Sequence, residues 1–178
     1  MAARHPGHQY RSKVKATIMG EIESRLAEIG IVLPRPRRVP ANFIPGTVLG
    51  EMCWLSGTLG TIVNDKDEDV IPTPGKVGRE VTLEQGYASA RQCAINHLSW
   101  LKLVIGDLDR VKRILKVNGY VNAVEGYNKG PWVANGASDL LVEVFGPERG
   151  RHARAVVSVA GLAFDAPVEM EMTVQIKP

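Results

Sequence analysis

Apolar residues recur along this chain with two periods, and the switches between them mark out its elements. From Ala16 to Ile29, Ile18, Ile22, Leu26 and Ile29 fall at three- and four-residue steps, with Glu21, Glu23, Arg25 and Glu28 outside that stripe. The spacing predicts an amphipathic helix stopped by Gly30. Pro34-Arg35-Pro36-Arg37-Arg38-Val39-Pro40 cannot continue it, because prolines remove backbone donors and bias their neighbours to extended conformations. Phe43 to Val48 and Met52 to Ser56 read as strands turning at Gly50. Residues 63–78, rich in Asp, Pro and Gly, read as an exposed loop. Thr82, with Gln85 three residues on, forms a capping box that opens a helix running to Ile105. Val111 to Val121 reads as a strand, and after a loop at 126–131 Trp132 to Phe145 reads as a second long helix. Arg154 to Val159 and Val168 to Ile176 are the last strands. The final one alternates, with Val168, Met170, Met172, Val174 and Ile176 on one face and Glu169 and Glu171 on the other.

After the first helix the order is β-β-α-β-α-β-β. This predicts an α+β fold, one sheet with both long helices on one face. The other face then needs cover, and a second copy of the chain is the natural source. The organisation reads as a basic lead-in, helix and Pro/Arg segment over 1–39, followed by one domain over 40–178.

Charge and composition narrow the partners. The net charge is +3 and only 6% of residues are aromatic. A nucleic-acid surface gathers basic residues beside stacking aromatics. Here the one basic cluster is Arg35, Arg37 and Arg38, whose default reading is a solvated loop. No apolar run approaches the ~20 residues of a membrane span. The basic N-terminus lacks the apolar core of a secretory signal, although an organelle leader would share its lack of acids before Glu21. A cytoplasmic protein with no membrane partner is expected. Cys53 and Cys93 sit in apolar patterns without metal-ligand spacing and read as reduced core thiols. Asp65, Asp67 and Asp69 alternate as in a calcium loop, but the required Gly and Glu are missing from its pattern. No cofactor is expected.

Four segments carry a more specific signal: Gly50-x3-Trp54-x-Ser56-Gly57, Asn135-Gly136-Ala137, Ala153-Arg154-Ala155 and Val168-Glu169-Met170-Glu171. With the element order, they resemble the Rid/YjgF family of reactive intermediate deaminases, also labelled endoribonuclease L-PSP, over about Pro40 to Ile176. The resemblance implies a chorismate-mutase-like fold and a homotrimer whose sheets face inward, with pockets between subunits. It implies cofactor-free hydrolysis of 2-imino acids to 2-keto acids and ammonia. Arg154 would hold the substrate carboxylate, and Glu169 would place or activate the attacking water, the two standing on adjacent last strands. Phe43, Ser56, Gly57, Asn135 and Val156 would line the substrate site, Val156 through its carbonyl.

The chemistry is consistent with these residue types. An arginine grips a carboxylate with a rigid fork of donors. An imine is already electrophilic, so its hydrolysis needs mainly orientation and a base beside water. Plainer readings stand next to these. Asn135 also suits a helix N-cap near Trp132, Glu171 a solvated position, and His97, in the long helix, a structural one. Ala155 stands where the family has Ser, and Phe43 where it often has Tyr, so Phe43 offers no hydroxyl. These departures leave a non-catalytic trimer that binds a small carboxylate as the alternative. A ribonuclease would need a basic, aromatic-lined groove, for which only Arg35, Arg37 and Arg38 are candidates.

Overall fold

The computed structural model describes residues 19–36 and 41–178. Helix α1 (Glu21–Glu28) precedes strands β1 (Gly46–Leu49) and β2 (Met52–Leu59) and a small hairpin, β3 (Ile62–Val63) with β4 (Asp69–Val70). Helix α2 (Leu83–Ile105), β5 (Val111–Asn122), α3 (Gly130–Gly150), β6 (Ala153–Val159) and β7 (Val168–Ile176) follow. The main sheet has the order β1-β2-β7-β5-β6. All its pairings are antiparallel except β5 with β6, which is parallel. A parallel pair needs a long crossover, and α3 supplies it. The fold is the expected α+β arrangement, one sheet with two long helices on one face.

The alternation of β7 decides which face is covered. Val168, Met170, Met172, Val174 and Ile176 are all buried. They meet α2 and α3 together with Ile114, Val117 and Val121 of β5 and Leu98, Leu101, Leu140 and Leu141 of the helices. The capping box of α2 is formed: Gln85 N donates to Thr82 Oγ1 at 3.2 Å, and Thr82 N donates to Gln85 Oε1 at 2.8 Å. Cys53 and Cys93 are buried and unpaired.

Several boundaries differ from the sequence reading. The first helix starts at Glu21 among the described residues; the expected turn from Ala16 to Ile18 lies outside them, as do Arg37 and Arg38. Asp109, far along the chain, holds this helix: its carboxylate accepts from the N–H groups of Glu21 and Ile22, both at 2.8 Å. A carboxylate there satisfies free donors and meets the positive end of the helix dipole. The first strand begins at Gly46 rather than Phe43, which sits in the irregular segment before it. The 63–78 segment is not wholly an exposed loop. It contributes to the β3–β4 hairpin, and Val77 is fully buried. The second long helix starts at Gly130, two residues early, because Pro131 fits the first turn, where its missing N–H has no partner to lose. Its regular course ends at Gly146, whose φ of 74° breaks the helix before a last turn from Pro147.

The two helices approach closely at Gly136. A Cβ there would collide with the carbonyl oxygen of Tyr87 on α2. Helix propensity alone favours Gly→Ala by about 1 kcal/mol, but overpacking a helix contact costs about 1–3 kcal/mol. Gly136→Ala should therefore lower the unfolding free energy in urea titrations; a variant more stable than wild type would refute the close contact.

Candidate functional site

The four segments singled out in the sequence fall into two groups in the folded chain. The first is built on β7 and β2. Glu169 occupies the uncovered face of the sheet, in register with Tyr120 on β5 and Leu59 on β2. Its pKa is raised, first by burial and then by the charge of Glu171. Glu171, half-buried, is also engaged by its neighbours: Asn118 Nδ2 donates to its Oε1 at 2.6 Å and Tyr120 Oη donates to the same oxygen at 3.1 Å.

The Ser-Gly pair explains how β2 makes room for Glu169. The register of β2 against β7 shifts between Leu55 and Thr58, so Ser56 and Gly57 sit in a bulge. A side chain at Gly57 would collide with the Glu169 carboxylate. Ser56 Oγ donates to the Ile44 carbonyl at 2.7 Å, which ties the bulge to the segment carrying Phe43. Behind the bulge, His97 Nε2 lies 3.1 Å from the Ser56 carbonyl, and its Nδ1 lies 3.2 Å from Thr58 Oγ1. A carbonyl only accepts, so Nε2 carries the proton. Burial pushes the pKa of His97 down to about 4, and the residue has the structural surroundings its helical position suggested. Phe43 and Gly57 also line a cavity of about 790 Å³, together with Arg35, Thr61, Asn96 and Trp100.

The second group is built on β6 and α3. Arg154 pairs in register with Val117, whose other partner is the buried Met172, so it lies on the helix-covered face. Its Nη1 donates to Asn135 Oδ1 at 3.0 Å and to Ser138 Oγ at 2.9 Å, and its Nη2 donates to the Pro131 carbonyl at 3.1 Å. Burial lowers its pKa, opposed by the nearby charge of Asp139. Asn135 is thus not an N-cap: the helix has already begun at Gly130, and the side-chain oxygen faces the guanidinium. Val156, half-buried, packs under Gly130.

Arg154 and Glu169 do not stand on adjacent strands. β5 lies between β6 and β7, which separates them by two strand spacings across the sheet, about 9.6 Å; their partners on β5, Val117 and Tyr120, add an offset of three residues along it, and they occupy opposite faces. The fold brings together Phe43, Ser56, Gly57 and Glu169, and separately Arg154, Asn135 and Val156. Three contacting residues escaped the sequence reading. Asn118 and Tyr120 alternate along β5 and so share a face, and Ser138 lies three residues beyond Asn135 on a helix; both spacings were visible, but not what they faced.

His97 makes a pH signature of the bulge. A histidine whose folded pKa lies below its ordinary 6.5 contributes stability that is present above pH 6.5 and lost as pH falls toward about 4. The loss should amount to roughly 3 kcal/mol at most. Urea midpoints measured across that window should flatten with pH in His97→Gln; an unchanged slope would contradict the assignment.

Among known proteins, residues 23–168 match the family model described as "YjgF/chorismate mutase-like, putative endoribonuclease". The chain is 38% identical over 157 residues to Protein TCP17 of Trypanosoma cruzi, covering 88% of this chain and 95% of that one. The solved structure of Atu1372 from Agrobacterium tumefaciens is 38% identical, with a TM-score of 0.75 over 87% of this chain and 91% of that one. A Shewanella oneidensis protein, also described as a putative endoribonuclease, is 28% identical, with a TM-score of 0.80 over 87% of this chain and 99% of that one. With a family model spanning most of its length and a relative at 38% identity over nearly the whole chain, this protein belongs to the YjgF/chorismate mutase-like family.

Proposed function

We propose that the protein is a cofactor-free hydrolytic deaminase of 2-imino acids or closely related small carboxylates, acting as a homotrimer with its site completed between copies. The observation that carries this reading is the separation of Arg154 from Glu169. Each is held in a prepared setting, yet within one chain they lie two strand spacings apart across the sheet, about 9.6 Å, are offset along it by three residues, about 10 Å, and occupy opposite faces. A small substrate spans them only if the edge bearing Arg154 in one copy meets the uncovered face bearing Glu169 in another. Membership of the family and the open sheet face support such an assembly.

The reaction asks little more of the protein than orientation and one base. Arg154 holds the substrate carboxylate, its guanidinium fixed by Asn135, Ser138 and the Pro131 carbonyl. Glu169, ionised, takes a proton from water as the oxygen attacks the imine carbon. The C=N bond becomes a C–N single bond, and the proton passes to nitrogen. Collapse of this carbinolamine expels ammonia and leaves the 2-keto acid, so one water is consumed and one ammonia released. A carboxylate with a raised pKa is a stronger base than an ordinary one.

Keto-acid release should exceed spontaneous hydrolysis when imines are generated in situ by an amino-acid oxidase. Arg154→Ala should lower kcat/KM by about a hundredfold or more, and Glu169→Gln by about 10²–10⁴. Binding of pyruvate without any acceleration would instead identify a carboxylate-binding module. Full activity in Arg154→Ala would sink the reading altogether.

The two inactive variants also report on assembly. Unfolded and refolded together, they should regain activity at about a quarter of the interfaces, those uniting an intact Arg154 from one chain with an intact Glu169 from the other. A site within one chain regains none.

The pH profile follows from the raised pKa of Glu169. Activity needs the ionised form, so it is present above that pKa and lost as pH falls through it, with a midpoint above the ordinary carboxylate range. Glu171→Gln removes one cause of the shift and should move the acid limb of kcat/KM to lower pH; a limb that stays in place would assign it to another group.

A further inference from the structure

Behind Arg154 lies a chain of polar groups that the proposed reaction does not use directly. Ser138 Oγ, which accepts from Arg154 Nη1 at 2.9 Å, lies 3.0 Å from His152 Nε2. The other ring nitrogen of His152, Nδ1, lies 2.7 Å from the Gly150 carbonyl. The directions of these bonds can be assigned. A carbonyl has no proton to give, so His152 Nδ1 donates to it. In the neutral imidazole, Nε2 is then an acceptor, and among the described residues its hydrogen-bond partner is the Ser138 hydroxyl. Ser138 gives its proton to His152 and turns its lone pairs to Arg154. Every hydrogen in the relay therefore has one direction: Arg154 to Ser138, Ser138 to His152, His152 to Gly150.

Local structure makes the anchor of the relay rigid. Gly150 ends α3, and a Cβ there would collide with the Leu141 carbonyl, so the helix end fits only at glycine. His152 and Ser138 are both half-buried. A serine bonded to a histidine also has the form of a nucleophile and its base. The serine oxygen, however, is already engaged by the guanidinium.

We infer that Ser138 and His152 are positioning residues for Arg154, fixing the rotation of its guanidinium so that its remaining N–H groups are aimed at the substrate carboxylate. The substrate part of this statement rests on the function proposed above; the fixing of the guanidinium does not. Protonation of His152 turns Nε2 from acceptor to donor and sets two cations on one hydroxyl, which loosens the relay. Burial and the charge of Arg154 both oppose that protonation. The charged groups around the relay are Arg154 itself, on the strand that His152 leads into, and Asp139 on α3, which favours the charged guanidinium and is bonded by the Tyr87 hydroxyl at 2.9 Å.

Two measurements on the full chain separate this inference from the function it serves. The first is side-chain NMR of the Arg154 guanidinium, which reads rotation about its Cζ–N bonds without any ligand. Slow rotation is expected in wild type at pH 7, faster rotation in Ser138→Ala and His152→Leu, and recovery in His152→Gln, which restores an acceptor near the Nε2 position. Rotation unchanged in Ser138→Ala and His152→Leu overturns the inference, whatever the protein catalyses. The second is calorimetric binding of pyruvate. Ser138→Ala and His152→Leu should weaken it by about tenfold, the scale of one charge-assisted hydrogen bond, with His152→Gln near wild type. Wild-type affinity in both variants beside lost affinity in Arg154→Ala overturns the inference alone. Wild-type affinity in Arg154→Ala overturns the function it rests on, and the NMR result then stands by itself.

Discussion

The interposition of β5 between β6 and β7 governs the rest of the molecule. β5 and β6 run parallel, so the chain must cross over between them, and α3 is that crossover. The chain then returns antiparallel to β5 on its far side, as β7. Two consecutive strands thereby become non-neighbours. Arg154 is carried to the sheet edge against α3, while Glu169 is set centrally between β2 and β5 on the open face. One topological choice thus gives the first residue a cradle of helix side chains and the second a partly desolvated carboxylate setting. It also denies them to one another.

The outline of the fold was readable because each element has a strong local cause. The alternation of β7 and the capping box at Thr82 are short-range patterns, and both reappear at the expected positions. Boundaries slipped where tertiary contacts took over from local preference. Asp109, more than eighty residues away in sequence, fixes the start of α1, and no helix signal near Glu21 announces it. The hairpin inside the 63–78 segment escaped because Asp, Pro and Gly dominate its composition, which reads as loop even where two short strands pair.

The site was legible in part for a different reason. The residue types at Arg154, Glu169, Ser56 and Gly57 were visible, but their faces were not. Which face a strand residue takes follows from register, and register follows from pairing partners that lie far apart in sequence. Hence the expectation of adjacent strands failed, although β6 and β7 were each located correctly. The same limit hid the role of Glu171. Its alternation with Met170 and Met172 placed it outside the core, yet only the pairing of β7 with β5 brings Asn118 and Tyr120 against it. Asn135 shows the converse: its suitability as a cap is a true local property that a start at Gly130 leaves unused.

The bulge at Ser56 and Gly57 has a bearing on how such a site can change through descent. The space beside position 57 is held by the tip of the Glu169 side chain and not by backbone, so the two positions are coupled through a group that can swing. A side chain gained at 57 displaces the carboxylate without removing it. The acid is then kept while its aim changes, so descent at position 57 can redirect the chemistry of the site and leave its residue type intact.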